Sequence, residues 1–235
     1  MNIDALATEY ASDGVIKVES LFDAADIEEI RTQIRRYAAE LVPGLPPNDV
    51  VFEADGVSVR NCWRMEAHDP WFADLARRES ILALVARLVN GDPVLMAVES
   101  FNKPARVGSA VPPHQDNAYF CLAPPDALTV WIAVDAVTPE NGPVSYLRGS
   151  HLDGARPHAA SGVAGNSMGL AEPVDPAGAW AGLLRPGDAL AHHCNTIHFS
   201  APNTSEHPRL GLLMVFKGAH CAVDESLRAN YALAG

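Results

Sequence analysis

Basic residues are in short supply: 17 Lys and Arg stand against 29 Asp and Glu, a formal net charge of −12. Neutralising nucleic-acid phosphates takes a surplus of cations, so no nucleic-acid partner is expected. Nowhere does an apolar run reach the roughly 18 residues that a membrane-spanning helix requires, and no membrane association is expected either. Cysteine is sparse. Cys62, Cys121, Cys194 and Cys221 lie far apart with no CxxC pair. That argues against a zinc knuckle or a disulfide framework and for reduced thiols in a cytoplasmic protein. The opening MNIDALATEY has no basic segment followed by an apolar one, so no secretory signal is expected. Repeats, low-complexity tracts and Ser/Gly-rich linkers are also missing. With 48% hydrophobic and 20% charged residues, the chain has the composition of a soluble globular protein with a sizeable core, and one domain over 1–235 is expected.

What is present changes in character along the chain. GVIKVES (14–20) reads as a strand. Ile27, Ile30, Ile34, Tyr37, Ala38 and Leu41 then recur at steps of three and four, which marks an amphipathic helix ended by PGLPP (43–47). A second helix is expected over ESILALVARLVNG (79–91), with glycine at its end. Beyond residue 92 short apolar runs take over: 93–101, 127–137, 143–149, 188–193 and 209–218. Turn signals such as PPD, ENGP, RPGD and SAPN separate them. Helices followed by many short strands imply a mainly β fold, an antiparallel sandwich or jelly roll with N-terminal helices. Residues 152–180 are rich in Gly, Ala and Pro and show no period, so they are expected to form an active-site loop or lid.

One stretch, PPHQDNAYF (112–120), carries the chemistry. Residues i and i+2 of a strand share a face, so His114 and Asp116 can converge on one ion with Gln115 turned away. HxD alone is a weak motif. It gains weight from AHHCNTIHFSAPNTSEHPRL (191–210), which offers further histidines on a later strand. Two histidines and one carboxylate with the remaining positions open is the non-haem Fe(II) arrangement. His192, His193 and His198 all compete for the third place. His68, His158, His207 and His220 have no partner in sequence and are expected at the surface. His151 and Asn141-Gly142 read as turn residues.

HQDNAYF, ALTVWIAVDAVTPENGPVSYLRGSH and HFSAPNTSEHPR, in that order, resemble the phytanoyl-CoA dioxygenase family over roughly 100–218. The resemblance implies a double-stranded β-helix (a cupin-like jelly roll) and an oxygenase that uses Fe(II), 2-oxoglutarate and O2. It makes His114, Asp116 and His198 the metal ligands and gives Arg209 the distal carboxylate of 2-oxoglutarate. Arg suits that task because its planar fork matches a carboxylate with two donors. Ser200 would add a hydroxyl, Trp131 a cosubstrate contact, and Asn102 a further one. The parity of strand faces points the same way: His193 and His198 are five residues apart and would face opposite sides of an unbroken strand. A bulge in CNT would undo that argument.

In the related halogenases the position of Asp116 holds a small residue, which frees an iron site for chloride. A carboxylate there implies hydroxylation or another oxidation instead. Asn117, Tyr119 and Phe120 are candidates to line the substrate pocket, and a small molecule is the expected substrate: an amino-acid derivative, a phosphonate or a natural-product intermediate. The competing reading is a cupin-like metal- or sugar-binding sandwich without oxygenase activity, which would have no use for Arg209. The sequence sets no oligomeric state.

Overall fold

A computed structural model describes residues 2–234, with side chains through residue 229. The N-terminal part alternates helices with edge strands. Helix α1 (Ile3–Asp13) starts at Asn2, whose side chain accepts from the Ala5 N–H, and stops at left-handed Gly14. Strand β1 (Val15–Val18) leads to α2 (Ala24–Glu40), which opens with a reciprocal capping box between Asp23 and Asp26. Strands β2 (Val50–Phe52) and β3 (Val59–Cys62) and helices α3 (Met65–His68), α4 (Pro70–Ala76) and α5 (Glu79–Leu88) follow. The remainder is mostly strand: β4 (Pro93–Lys103), β5 (Val111–His114), β6 (Leu122–Ala123), β7 (Ala127–Ala133), β8 (Val144–Tyr146), β9 (His158–Val163), β10 (Asn166–Leu170), β11 (Trp180–Ala181), β12 (Ala189–His193), β13 (His198–Ser200), β14 (Arg209–Gly218) and β15 (Ala222–Val223). A short α6 (Asn117–Phe120) follows β5, and α7 (Glu225–Ala234) ends the described chain. None of these helices is long and apolar enough to cross a membrane.

Two antiparallel sheets form a jelly roll. The larger has the order β1-β12-β7-β14-β4-β3-β2 and the smaller the order β11-β8-β13-β5. The large sheet is apolar on both faces, and its period of two sorts the residues. Leu128, Val130 and Ile132 of β7, with Leu212, Met214 and Phe216 of β14, pack under the helices against Ile27, Ile30, Ile34, Tyr37, Phe72, Ile81, Leu84 and Val85. Thr129 and Trp131 of β7 and Leu213 and Val215 of β14 point the other way, into a cavity between the sheets. The helices therefore cover one face of the large sheet, leaving the other face to line the site.

Both expected helices and all the expected strand runs are present, within a few residues at their ends. Residues 152–180 differ from expectation. Instead of a structureless loop, they hold the β9–β10 hairpin, whose Gly165, Asn166 and Ser167 form part of the cavity wall. HAASGV and NSMGL carry small residues without apolar alternation, so the pattern gave no strand signal there.

Gly211 of β14 shows how tightly the cavity floor is built. A Cβ at this position would sit inside the indole ring of Trp131, well within van der Waals contact. Overpacking of this kind costs about 1–3 kcal/mol. Gly211→Ala is expected to lower the thermal midpoint by a few degrees per kcal/mol, on the order of 2–4 °C each, and to change the Trp131 fluorescence. An unchanged midpoint and spectrum would show that the ring has room to move.

Candidate metal centre

His198 of β13 is in register with both His114 of β5 and Tyr146 of β8, so antiparallel pairing alone brings the two histidines together. Asp116 arrives differently from the strand spacing expected for HxD. The chain leaves β5 at His114, and Asp116 takes helical angles (φ −60°, ψ −32°) at the start of α6. That turn is pinned from both sides. The Gln115 side chain donates to the carbonyls of Gly154 (2.8 Å) and Asn195 (2.7 Å) and accepts from the Arg156 N–H (2.7 Å). The Gln115 N–H donates to Nε2 of His158 at 3.0 Å. Burial lowers the His158 pKa, and its Nδ1 donates to the Arg156 carbonyl, so the ring is neutral with Nε2 free to accept. His158, expected at the surface, is thus half-buried and holds the backbone between His114 and Asp116.

Oδ1 of Asp116 lies 3.6 Å from Nε2 of His114 and 3.4 Å from Nε2 of His198. The three could hold a metal ion, since one ligand atom from each falls within 4.8 Å of the others. Both histidines are oriented through their other nitrogen: Nδ1 of His114 donates to the Pro112 carbonyl (2.8 Å), and Nδ1 of His198 to the Thr196 carbonyl (2.9 Å). Such bonds fix the tautomer and turn Nε2 toward the ion. Burial lowers the pKa of His114 and takes His198 down to about 3, which keeps both imidazoles in the neutral, ligating form. Burial works against the charge on Asp116. The facing imidazoles, His198 first, and the His192 hydrogen bond outweigh it, leaving the carboxyl well below the ordinary range.

The second oxygen of Asp116 is already engaged. Oδ2 accepts from Thr129 Oγ1 (2.9 Å) and from Nε2 of His192 (3.1 Å), and His192 in turn faces the Tyr146 hydroxyl through Nδ1 at 3.1 Å. His192 therefore supports the carboxylate and leaves Oδ1 open. His193 turns away: its Nδ1 accepts from the Asn195 N–H, and its ring lies near Tyr10 and His151. The parity argument supposed one unbroken strand, and the fold removes that premise. His193 and His198 are not on one strand, because the chain crosses from the large sheet to the small one between them.

Arg209 opens β14 and is 1% exposed. Nη1 donates to the Gly142 carbonyl (2.9 Å), and the guanidinium lies 5.0 Å from the Trp131 ring centre and 5.8 Å from that of Phe101. Its Nε has no partner, and among the described residues no carboxylate pairs with it. Burial lowers its pKa to about 10, so it remains a cation at neutral pH. The Asn141-Gly142 turn thus does more than reverse the chain, since it presents the carbonyl that orients this arginine.

Triad, Arg209, Ser200, Trp131, Tyr119 and Phe120 all line one cavity of about 490 Å³. Tyr119 is tied to the hairpin: its hydroxyl donates to the Met168 carbonyl (3.0 Å) and accepts from the Met168 N–H (3.1 Å). Two candidates fall outside the lining. Glu99 and Phe101 take the inward positions of β4, so Asn102 faces the other way, and its amide donates to the Val59 carbonyl. Asn117 is buried and spends its side chain on both backbone groups of Leu122, closing α6. Sequence reasoning also missed Trp63, Glu99 and Thr129. Thr129 and Glu99 are polar residues inside apolar strands, and that oddity was the available signal.

Two neutral imidazoles and an ionised carboxylate on one side of a jelly roll, with a buried guanidinium lacking an anion nearby, suit iron and a dicarboxylate cosubstrate. These are the features of the non-haem Fe(II) oxygenases. The chain belongs to the phytanoyl-CoA dioxygenase family, whose model matches residues 10–211. It is accordingly an iron- and 2-oxoglutarate-dependent dioxygenase.

Among its relatives is the L-proline trans-4-hydroxylase of Streptomyces griseoviridis, 29% identical over 88% of this chain and 83% of that one. The ectoine dioxygenase of Sphingopyxis alaskensis is 27% identical over 89% of this chain and 74% of its own. A solved non-haem, α-ketoglutarate-dependent epimerase from nogalamycin biosynthesis, with Fe3+, α-ketoglutarate and a nogalamycin compound bound, superposes with a TM-score of 0.75. It is 25% identical and is covered over 96% of this chain and 88% of its own. The ectoine enzyme of S. alaskensis with 2-oxoglutarate and 5-hydroxyectoine shares the fold at a TM-score of 0.77 and 20% identity, over 91% of this chain and 75% of that one.

Three histidines, His158, His193 and His198, are expected to separate cleanly. His198→Ala should lose Fe(II) binding, His193→Ala should retain it, and His158→Ala should weaken it by on the order of 10-fold, as for groups that orient ligands. Equilibrium iron titration of the three variants checks this. Iron retained by His198→Ala and lost by His193→Ala would reverse the assignment.

Proposed function

We propose that this chain is a single dioxygenase domain that hydroxylates a small molecule, with His114, Asp116 and His198 holding Fe(II) and Arg209 holding the distal carboxylate of 2-oxoglutarate. The observation that carries the reading is the buried Arg209 guanidinium, with no carboxylate partner among the described residues, in the same cavity as the three convergent donors. Ser200 lines the wall beside His198, and Trp131 lies against the guanidinium, so both are placed to shape the cosubstrate pocket. Bound iron with 2-oxoglutarate and O2 supplies the oxidant, and the cosubstrate leaves as succinate and CO2. The protein's share is geometry and the exclusion of water. Thr129 and His192 hold the Asp116 carboxylate in one rotamer, and the Nδ1 bonds of His114 and His198 leave each Nε2 lone pair available to the iron they would hold.

Hydroxylation is favoured over halogenation because a carboxylate stands where halogenases have a small side chain. The relatives' names cover a proline hydroxylase, an ectoine dioxygenase and an epimerase, so family membership supports a small-molecule substrate and leaves its identity to the pocket. A metal- or sugar-binding sandwich without oxygenase activity would give no reason to bury an arginine facing the metal donors.

Mixing the protein anaerobically with Fe(II) and 2-oxoglutarate should produce a visible charge-transfer band, and oxygen consumption should require both. Full activity after chelation, or with no 2-oxo acid, would sink the assignment. Arg209→Ala should weaken 2-oxoglutarate binding by about 2–5 kcal/mol, the usual cost of breaking a buried charge pair, with iron binding largely intact. Arg209→Lys should recover part of the loss, since an ammonium offers no two-point fork. An unchanged cosubstrate KM in Arg209→Ala would place the carboxylate elsewhere. Asp116→Ala should lose most or all of the oxidation.

A further inference from the structure

Glu99 is a cavity residue with no part in holding iron or cosubstrate. Alternation along β4 sends it inward with Phe101, while Val98 packs under the helices. Across the large sheet it is in register with Leu213, and Leu213 with Trp131. Two strand spacings, about 10 Å, therefore separate the Glu99 and Trp131 backbones. On its other side β3 runs antiparallel to β4, with Asn61 opposite Phe101 and Cys62 opposite Ser100. Continuing that register by one residue sets Trp63 across from Glu99, and Trp63 lines the same cavity. Pro47, Asn48 and Val51 complete this end of the pocket, away from His192 and Thr129.

The charged side chains that act on Glu99 among the described residues are acidic. Among the described residues no Lys, Arg or His pairs with it, and the groups acting on it are Asp116 and Glu66, both acidic. Glu66 is committed elsewhere, accepting from the Val98 N–H at 2.6 Å. Burial, reinforced by Asp116 and Glu66, pushes the Glu99 carboxyl up to about 8. A carboxyl left without a counter-ion in a partly enclosed cavity is costly unless a proton or a ligand cation satisfies it. An aromatic ring beside it adds attraction for a positive charge in particular.

We propose that Glu99, with Trp63 across from it, is the recognition site for a cationic nitrogen on the substrate, which makes the substrate an amine or amino acid and not a simple acid or neutral compound. The proposal rests on the cavity being the dioxygenase active site described above. Arg209 then faces the anionic end of the cosubstrate, and Glu99 faces the cationic group of the substrate.

The test uses matched pairs that differ at one nitrogen: L-lysine and 6-hydroxynorleucine, L-proline and tetrahydrofuran-2-carboxylate, cyclohexylamine and cyclohexanol. Each is titrated anaerobically into protein loaded with Fe(II) and 2-oxoglutarate, following the perturbation of the visible band, and then assayed in air for stimulated succinate release. At least one amine is expected to bind 10-fold or more tightly than its partner. Glu99→Gln, an isosteric change, should remove that preference, while the band from Fe(II) and 2-oxoglutarate alone still forms and the thermal midpoint holds. Glu99→Asp should keep part of the preference. Equal binding within every pair, including no binding by any amine, overturns the proposal, as does an amine preference undiminished in Glu99→Gln. A band that never forms in the unsubstituted protein overturns the dioxygenase assignment itself, and this proposal with it.

Discussion

Everything at the metal centre depends on where the Asp116 carboxylate is held. Its neighbours His114 and His198 come from the small sheet, yet the two hydrogen bonds that fix it come from Thr129 and His192 of the large one. The donor set exists only when the sheets are packed against each other, so folding and site assembly are one event. The same carboxylate divides its labour between its oxygens. Oδ2 is saturated by protein donors, and Oδ1 faces the two imidazoles. A carboxylate held this way loses little freedom when it meets a cation, which is what preorganisation means for a metal site.

Charge inside the cavity is arranged along its length. Arg209 stands at one part, buried and paired with a carbonyl instead of a carboxylate, and Glu99 stands at another with only acids near it. The metal donors and an aromatic wall of Trp131, Phe101 and Tyr119 line the same cavity. A buried cation and a partly buried acid without ionic partners are both costly to fold. The cost is tolerable where a ligand supplies the missing charge, which makes these two residues the places where the protein's stability and its ligand affinity are linked.

Much of this was legible in the sequence for identifiable reasons. The α2 helix announced itself through Ile27, Ile30 and Ile34, and the large sheet through apolar runs bounded by turn residues. His114 and Asp116 stood out as an HxD pair, while His198 and Arg209 followed from the family resemblance; the fold brings all four to one cavity. What stayed hidden depends on through-space relations. His158 reads as a lone polar residue in a weakly patterned stretch, and only the folded chain brings it to the Gln115 backbone. Asn102 and Asn117 looked like pocket residues by proximity in sequence. The facing of β4 and the closure of α6 turned them to structural work. The β9–β10 hairpin lacks apolar alternation because one side meets a cavity and the other solvent, so neither face demands a hydrophobic stripe.

That hairpin is joined to the chemistry more closely than its position at the rim suggests. At its first residue, His158 holds the backbone between two metal-facing side chains, and Met168 near its far end is bonded twice to Tyr119 on α6. A pocket wall is the obvious segment to exchange when substrate range diverges among related enzymes. Here the exchangeable part is bounded on both sides. Its tip meets the β2–β3 wall, where Asn166 accepts from Arg60, and its two ends are stitched to the loop bearing Asp116. A change at either stitched end of the hairpin is therefore transmitted to the loop bearing Asp116.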